Sequence, residues 1–375
     1  MAWDIAKSMQ LRGHAVTLIC YSPTEGATEG IEVVDGIRIL RFQKIRLPGW
    51  HPGRLRAIAA ATAAACRKWL SGQRFDVVHI HSATMGLGVG EAIGKGPRYV
   101  YTALSPMVLE QDIVWRSQGL AGRLKLLLGR GMLADVERRI LTESSEIHAM
   151  SEFTRSILER DYGRNERVSV IPHWRTPLGP RLRKDDARRV LGWSQDAKIL
   201  LTVRGMGPRY GLDIAIRALG PLTQELDCHF YLAGDGTMRP QLEALAAGFR
   251  RSDERIHFMG RISDQQLETA YAAADLFILP TLALECFGLI IVEALSFGCP
   301  VLGTDAGAIP EALRPILPQF IVPAGNVSAL QDRARQFLQG NLIVPDRQAL
   351  MDYVSGRYRE SAVMSQLIKM FHPVA

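Results

Sequence analysis

The chain has 375 residues, of which 47% are hydrophobic and 22% charged, values typical of a globular protein with two domains. No window approaches the ~18 uncharged apolar residues of a spanning helix. Asp4, Lys7 and Arg12 interrupt any signal-like pattern at the start, so a cytoplasmic location is expected. Five scattered cysteines, none in a CxxC pair, argue against a disulfide framework and against a zinc site.

The net charge of +7 lies entirely in the first half of the chain. Residues 1–180 hold 24 Lys and Arg against 17 Asp and Glu, and residues 36–75 hold nine basic side chains and no acid. Such a surface favours an anionic partner, which could be nucleic acid, an acidic membrane or a phosphorylated substrate. The alternative is a solvated basic face without a partner.

The first half alternates short apolar runs with amphipathic segments, which is typical of βαβ units. The chain opens in a helix, MAWDIAKSMQ, whereas a doubly wound domain ordinarily begins with a strand and a glycine-containing turn. Further helices are predicted at 54–70 and from about Gly119 to Leu141. Buried strands are predicted at 15–20, 76–81, 98–104 and 146–151.

The second half repeats the pattern, so an α/β fold with two doubly wound, Rossmann-like domains is expected. Its strands are predicted at 198–204, 228–234, 255–260, 275–280, 300–304 and 319–323. Three prolines in 172–180, followed by a charge cluster, predict the hinge between the domains. The predicted divisions are a first domain at 1–172, a linker at 173–189, a second domain at 190–356, and a final helix at about 357–375 that packs back on the first domain.

Three predicted strands of the second half run into glycine-bearing turns. These turns are RGMGPRYG, AGDG and TLALECFG, and their glycines include Gly205, Gly234 and Gly288. Glycine lets backbone amides approach a phosphate closely, and a following helix adds its positive N-terminal end. The turns therefore favour a phosphate-bearing ligand, although each could also be only a tight turn.

Two carboxylates, Glu285 and Glu293, lie eight residues apart in ECFGLIIVE. If a helix begins near Phe287 or Gly288, the amides of its first turn offer a diphosphate site between the two carboxylates. Each carboxylate can accept hydrogens from a sugar diol. The alternative is that Glu285 caps the helix and Glu293 faces solvent. The apolar residues around Glu293 argue against its exposure.

The segment ECFGLIIVEALSFGCPVLGTDAGAIPE resembles the E-x7-E signature of the retaining glycosyltransferases of family 4, which have the GT-B fold. Five other segments agree with the family pattern in order and spacing: RGHAVTL, FDVVHIHS, SVIPHW, FYLAGDGTMRPQLEAL and RIHFMGRISDQQLETAYAAADLFILPT. The resemblance covers nearly the whole chain. It implies two Rossmann-like domains that face each other across a cleft.

The resemblance also implies roles for individual residues. Glu285 would hold hydroxyls of the donor sugar, and Glu293 would hold ribose hydroxyls of the nucleotide. Arg204 would neutralise the leaving diphosphate, and His81 would face the cleft near the donor sugar or acceptor. Backbone groups around Phe287, Gly288 and Leu289 would bind the diphosphate.

The chain departs from the family pattern at three places. Tyr210 replaces the lysine that usually precedes the loop glycine, and the neighbouring Arg209 is expected to substitute for it. Leu104 occupies the place of a histidine near the reacting sugar. The chain also starts after the first strand and its glycine-rich turn, which predicts weakened activity rather than a different fold.

The resemblance implies transfer with retention, and the absence of a standout nucleophile suits the front-face process usually proposed for retaining members. Metal-independent transfer is expected, because no D-x-D motif offers a metal site. No cofactor is expected, since the nucleotide-diphosphate sugar is itself a substrate. The acceptor would be a sugar or lipid-linked hydroxyl in polysaccharide or glycolipid synthesis. Two alternatives are a nucleotide-sugar epimerase and a non-catalytic sugar-nucleotide-binding relative.

Residues 115–140 carry six basic and two acidic side chains, with leucines at helical spacing. Together with 36–75 they could dock on an acidic membrane at its inner face and present a lipid-linked acceptor. The alternative is an ordinary amphipathic helix, which packs one side against the core and exposes the other side to solvent. Nucleic acid is not the expected partner, because the basic stretch lacks interleaved aromatic side chains.

Overall fold

The computed structural model describes residues 1–22, 29–45, 51, 53–164, 166–175, 181–249 and 254–372. Two compact units make up the chain. The first comprises Met1–Met150, Thr154–Ile171 and the chain from Ser361 onward, and the second comprises Ser151–Phe153 and Pro172–Glu360. Of the predicted linker at 173–189, residues 176–180 lie outside the described residues.

The first unit contains two sheets with helices. Its strands are β1 (Thr17–Tyr21), β2 (Gly30–Val34), β3 (Ile37–Phe42), β4 (Val77–Ile80), β5 (Arg98–Thr102), β6 (Glu146–Ala149) and β7 (Val168–Val170). Its helices are α1 (Ala2–Leu11), α2 (Arg54–Leu70), α3 (Ala83–Ile93), α4 (Met107–Arg116), α5 (Gly119–Glu143) and α6 (Glu152–Tyr162), together with the last helix of the chain.

The strands of the first unit pair in the orders β1-β3-β2 and β4-β5-β6-β7. All pairs are parallel except β2 with β3, an antiparallel hairpin that the sequence reading did not predict. Asp35 has φ 50° and Gly36 φ 77°, the positive values that a two-residue hairpin turn requires. The Asp-Gly pair between VV and IRIL is the signal that could have identified it.

The second unit contains one six-stranded sheet. Its strands are β8 (Lys198–Val203), β9 (Cys228–Ala233), β10 (Ile256–Gly260), β11 (Leu276–Leu279), β12 (Val301–Thr304) and β13 (Ile321–Val322). Its helices are α7 (Lys184–Leu191), α8 (Leu212–Glu225), α9 (Arg239–Ala247), α10 (Asp264–Ala273), α11 (Leu289–Ser296), α12 (Ile309–Leu313), α13 (Val327–Leu338) and α14 (Arg347–Arg357).

The strand order of this sheet is β10-β9-β8-β11-β12-β13, and every neighbouring pair is parallel. Successive strands are added on one side of β8 and then, from β11 onward, on the other. The order therefore reverses between β8 and β11, the point at which open α/β sheets bind ligands beyond the carboxyl ends of their strands. Residues 199–201 and 276–279 are fully buried, as expected for strands covered on both faces.

The end of the chain belongs to the first unit. Helix α14 stops at Arg357, and α15 (Glu360–Phe371) starts a new helix. The backbone carbonyl of Met370 accepts a 3.0 Å hydrogen bond from Nε of Arg98, and the Phe371 ring packs at a tilt against His79 with ring centroids 5.0 Å apart. Among the described residues, no helix combines the length and apolar character needed to cross a membrane.

Candidate active site

An ion pair lies where the strand order of the second unit reverses. Arg204 follows β8 directly, and its Nη2 donates to Oε2 of Glu285 at 2.6 Å and to the hydroxyl of Thr281 at 3.1 Å. The two charged side chains are only 9% and 13% exposed. The Nε–H of Arg204 is also buried and has no hydrogen-bond partner among the described residues. A buried donor without an acceptor is costly, so this arginine is suited to an anionic ligand.

The loop that carries Glu285 is held by its own backbone carbonyls. The carbonyl of Leu284 accepts from Nη1 of Arg209 at 2.6 Å, and that of Glu285 accepts from the amide of Ala308 at 2.7 Å. The carbonyl of Cys286 accepts from the hydroxyl of Ser151. Leu284 itself has φ 59°, a left-handed conformation that is costly for a bulky residue and is often found at functional sites.

Helix α11 begins at Leu289, as the sequence predicts to within two residues. Its N-cap is Gly288 with φ 78°, which has no side chain to cap the helix. The amide of Ile291 donates to the Gly288 carbonyl at 2.8 Å, which leaves the amides before it in the first turn for water or a ligand. The Phe287 side chain is 7% exposed and packs edge-on against Tyr358, with ring centroids 6.0 Å apart. Only the backbone of Phe287 is placed to serve a ligand.

Glu293 lies on the second turn of α11 and is enclosed by polar partners. The hydroxyl of Tyr271 donates to it at 3.1 Å, and Nε of Arg175 lies 3.8 Å from its carboxylate. Arg175 also pairs with Glu268 at 3.4 Å. Burial raises the pKa of Glu293, and the charge of Arg175 opposes that rise. Glu293 therefore does not face solvent, and its buried carboxylate has polar partners in Tyr271 and Arg175.

The predicted diphosphate arginines share one aromatic ring. Tyr210 lies between Arg204 and Arg209, whose guanidinium carbons are 4.5 Å and 4.8 Å from its ring centroid. Nη2 of Arg209 also donates to the Tyr210 hydroxyl at 3.2 Å. An ideal Cβ on Gly205 would contact the same ring at 3.4 Å. Tyr210 thus holds both guanidinium groups in place by cation–π contacts.

Two glycines, Gly234 directly after β9 and Gly211 at the start of α8, allow backbone segments to approach closely. A Cβ at Gly234, which has φ 126°, would lie 1.9 Å from the carbonyl oxygen of Arg204. A Cβ at Gly211, which has φ 66°, would lie 2.0 Å from the carbonyl oxygen of Pro280. Both positions need glycine for conformation and for space. Gly234 thus allows its turn to pack against the turn that carries Arg204.

His81 belongs to the first unit, at the end of β4. Its ring lies 4.2 Å from that of His79, as strand alternation predicts. Nε2 of His79 hydrogen-bonds to the Thr102 hydroxyl at 2.6 Å, and that hydroxyl bonds to Nδ1 of His148 at 3.0 Å. Burial and the neighbouring histidines lower the pKa of His79. His79 therefore links two strands, and His81 stands beside it at the strand end.

Sequence reasoning missed three residues that complete this arrangement, Thr281, Tyr271 and Arg175, and it also missed the contacts of the Tyr210 ring with two arginines. Tyr271 is the one with a visible signal, because it is the only large polar-tipped side chain in the run TAYAAADLF. Among the residues described, no three His, Cys, Asp or Glu side chains form a cluster that could hold a metal ion.

Solved structures with the same architecture are glycosyltransferases. Sucrose-phosphate synthase from Thermosynechococcus elongatus aligns with a TM-score of 0.81 and 19% identity, over 98% of this chain and 91% of that one. WaaG, a glycosyltransferase of lipopolysaccharide biosynthesis, aligns with a TM-score of 0.71 and 20% identity, over 99% and 94%. Anabaena HepE, solved in complex with UDP and glucose, aligns with a TM-score of 0.73 and 18% identity, over 99% and 94%. These similarities show a GT-B fold, as the sequence predicts.

Several mannosyltransferases are similar to this chain in sequence. The phosphatidyl-myo-inositol mannosyltransferase of Mycobacterium leprae is 31% identical over 319 residues, which is 84% of this chain and 78% of the relative. The protein of the same name from Mycobacterium tuberculosis is 24% identical over 99% of this chain and 92% of its own length. A GDP-mannose-dependent phosphatidylinositol monomannoside mannosyltransferase of Corynebacterium glutamicum is 25% identical over 57% of each chain.

Two family models divide the chain between them. Residues 1–174 match the glycosyl transferase 4-like domain, and residues 183–355 match the glycosyl transferases group 1. The chain therefore belongs to the group 1 glycosyl transferases and is a glycosyltransferase of the family 4 type with a GT-B fold.

Proposed function

We propose that this enzyme transfers a sugar from a nucleotide-diphosphate donor to a hydroxyl acceptor with retention and without a metal ion. The observation that carries the proposal is the Arg204–Glu285 pair, which lies where the strand order reverses and is followed directly by the uncapped N-terminus of α11. Arg204 suits a diphosphate, Glu285 suits sugar hydroxyls, and the N-terminus of α11 lies beside them.

In this proposal the donor displaces the ion pair. The diphosphate accepts hydrogen bonds from Arg204, including its buried Nε–H, and from the amides of Gly288 and Leu289. Glu285, released from Arg204, then accepts hydrogens from the sugar hydroxyls. Glu293 accepts hydrogens from the ribose diol, and Arg209 adds a second positive charge to the diphosphate end. Gly205 and Gly234 keep the two flanking turns close to the site.

The chemical step breaks the bond between the anomeric carbon and the phosphate oxygen. The acceptor oxygen bonds to the anomeric carbon on the same face, and the departing phosphate oxygen takes the acceptor's proton. Arg204, Arg209 and the helix end stabilise the negative charge that develops on the leaving diphosphate. Those groups supply the role that a divalent cation would otherwise fill. His81, in the first unit, is proposed to serve the sugar or acceptor.

The relatives suggest the first substrates to test. Several are named as mannosyltransferases acting on phosphatidylinositol or its mannosides, and one is named as GDP-mannose-dependent. GDP-mannose is accordingly the first donor, and a lipid-linked hydroxyl is the first acceptor class. We also propose that the enzyme contacts a membrane peripherally through its basic N-terminal half, in glycolipid or polysaccharide synthesis.

The experiment is a thermal-shift screen with GDP-, UDP- and ADP-sugars, followed by transfer assays with the donor that stabilises the fold. Proton NMR of the product gives the anomeric configuration, and chelator tests the need for metal. An α-linked product from an α-linked donor, formed in chelator, is expected. An inverted product refutes retention, and loss of activity in chelator that added metal restores refutes metal independence.

Two alternatives give different outcomes in the same assays. An epimerase would change the donor sugar with no acceptor present. A binding protein without catalysis would be stabilised by donor yet would never release free nucleoside diphosphate with any acceptor.

A further inference from the structure

Helix α5 exposes a stripe of leucines. Leu120, Leu124, Leu127 and Leu128 are 81%, 58%, 80% and 53% exposed. Their spacing of four, three and one residues places them on one side of the helix. The opposite side carries the residues that pack into the first unit: Gly122, Gly129, Leu133 and Ile140.

This clustering separates α5 from the rest of the surface. Only ten large hydrophobic residues are exposed in the described chain, and four of them lie within positions 120–128. Single exposed apolar side chains need no explanation, but a contiguous group marks a surface that another body covers. We call these four side chains the α5 leucine face.

Basic side chains surround the α5 leucine face. Residues 113–134 contain three arginines and one lysine and not a single acid. Beside the face, Arg116, Arg123, Arg130 and Arg138 line a recess of about 820 Å³ together with Leu126 and Leu127. Arg130 is partly neutralised, because its Nε lies 3.1 Å from the Asp112 carboxylate. The remaining positive charge favours an anionic partner.

We propose that the α5 leucine face docks on an anionic lipid bilayer, with its leucines in the acyl boundary and its arginines on lipid phosphates. Apolar side chains that face outward and are flanked by basic ones are what a helix lying in a membrane interface presents. The excess of positive charge selects an acidic surface over a neutral one. The inference rests on the peripheral membrane contact proposed above and names the surface that makes it.

The test is co-sedimentation of the full chain with vesicles of phosphatidylcholine alone or mixed with phosphatidylglycerol. Wild type is expected to bind the mixed vesicles and to be released by salt. L124S/L127S should bind them about tenfold or more weakly, because it removes two inserted side chains. R116Q/R123Q should bind about 25-fold more weakly, since each basic side chain near such a surface contributes about fivefold.

Matched control variants lie in the second unit. V190S/I343S removes two apolar side chains that are 69% and 83% exposed, and R183Q/R189Q removes two arginines whose side chains are 80% and 64% exposed. Both should bind mixed vesicles as wild type does. Circular dichroism should give unchanged melting temperatures for all four variants, because every substituted side chain is exposed on the surface.

Three results would overturn the inference. Wild type could fail to bind mixed vesicles, the α5 variants could bind as tightly as wild type, or binding to neutral vesicles could be equally strong. A dimer seen by light scattering without lipid, and lost in L124S/L127S, would assign the face to a second copy of the chain instead. Donor binding by all variants is measured separately, so a failure of the proposed transferase function would leave the vesicle result intact.

Discussion

Replacing Glu285 by alanine should separate nucleotide binding from sugar transfer. Glu285 is the carboxylate partner of Arg204, at 2.6 Å. In the proposed mode of binding, a donor diphosphate replaces that partner on Arg204. Removing the carboxylate therefore removes a competitor for the arginine, and also removes the group proposed to hold the sugar.

The size of the effect follows from the burial of the pair. With side chains 9% and 13% exposed, the pair is intermediate between an exposed ion pair, worth 0–1 kcal/mol, and a buried one. We take about 1.5 kcal/mol for its disruption, which corresponds to about tenfold in affinity. Glu285→Ala should thus bind the nucleoside diphosphate about tenfold more tightly than wild type. Transfer should fall about 100-fold or more, because the hydrogen bonds to the sugar are lost.

Isothermal titration with the nucleoside diphosphate and a transfer assay at saturating donor measure the two effects. Glu243→Ala is the control, since Glu243 pairs with Arg239 at 2.7 Å on the surface of α9. It should change neither quantity. Weaker binding of the nucleoside diphosphate to Glu285→Ala would refute the competition between carboxylate and diphosphate. Wild-type transfer by that variant would refute the site.

Three further predictions concern the same unit. Tyr210→Ala should weaken nucleoside diphosphate binding about tenfold in titrations, because both cation–π contacts are lost, whereas Tyr210→Phe keeps the ring and should stay near wild type. Equal binding by the two variants would contradict this. Gly211→Ala should lower the free energy of unfolding by at least about 3 kcal/mol, through left-handed φ and a clash with a backbone carbonyl. Gly192→Ala, with φ 68° and open space, should cost only about 1–2 kcal/mol, and equal losses in denaturant titrations would show that the close approach is unimportant. Because burial raises the pKa of Glu293, its ionisation destabilises the folded state as pH rises above about 4.5. Glu293→Gln should therefore gain melting temperature relative to wild type as the pH rises above about 4.5, and a constant difference across that rise would contradict the raised pKa.

The sequence predicts those parts of the site that depend on local spacing. The apolar run of β11, the glycine at 288 and the following helical segment locate the start of α11 to within two residues. The alternation of strands and helices predicts parallel strands, and their carboxyl ends then have to share one edge of the sheet. Arg204 and Glu285 each follow a strand directly or by a short loop, so local reading is enough to bring them to that edge.

The partners of these residues depend on contacts that are distant in the sequence. Arg175 reaches Glu293 from 118 positions away (293 − 175), and Tyr271 reaches it from a different helix. Nothing in the residues around either partner indicates which carboxylate it contacts, because tertiary packing alone brings them together. For the same reason the sequence indicates only that Tyr210 replaces a lysine, whereas the structure shows a ring that contacts two arginines.

The position of Glu285 shows why the loop needs such distant contacts. Three successive carbonyls, those of Leu284, Glu285 and Cys286, accept hydrogen bonds from Arg209, Ala308 and Ser151. The donors come from three separate segments, so the loop cannot shift without breaking several bonds at once. That fixation can sustain the left-handed Leu284, which would otherwise cost about 1–2 kcal/mol. In the proposed site only the side chain of Glu285, released from Arg204, has to adjust to receive a sugar, because its backbone is already held in place, and such preorganisation is the condition for electrostatic catalysis.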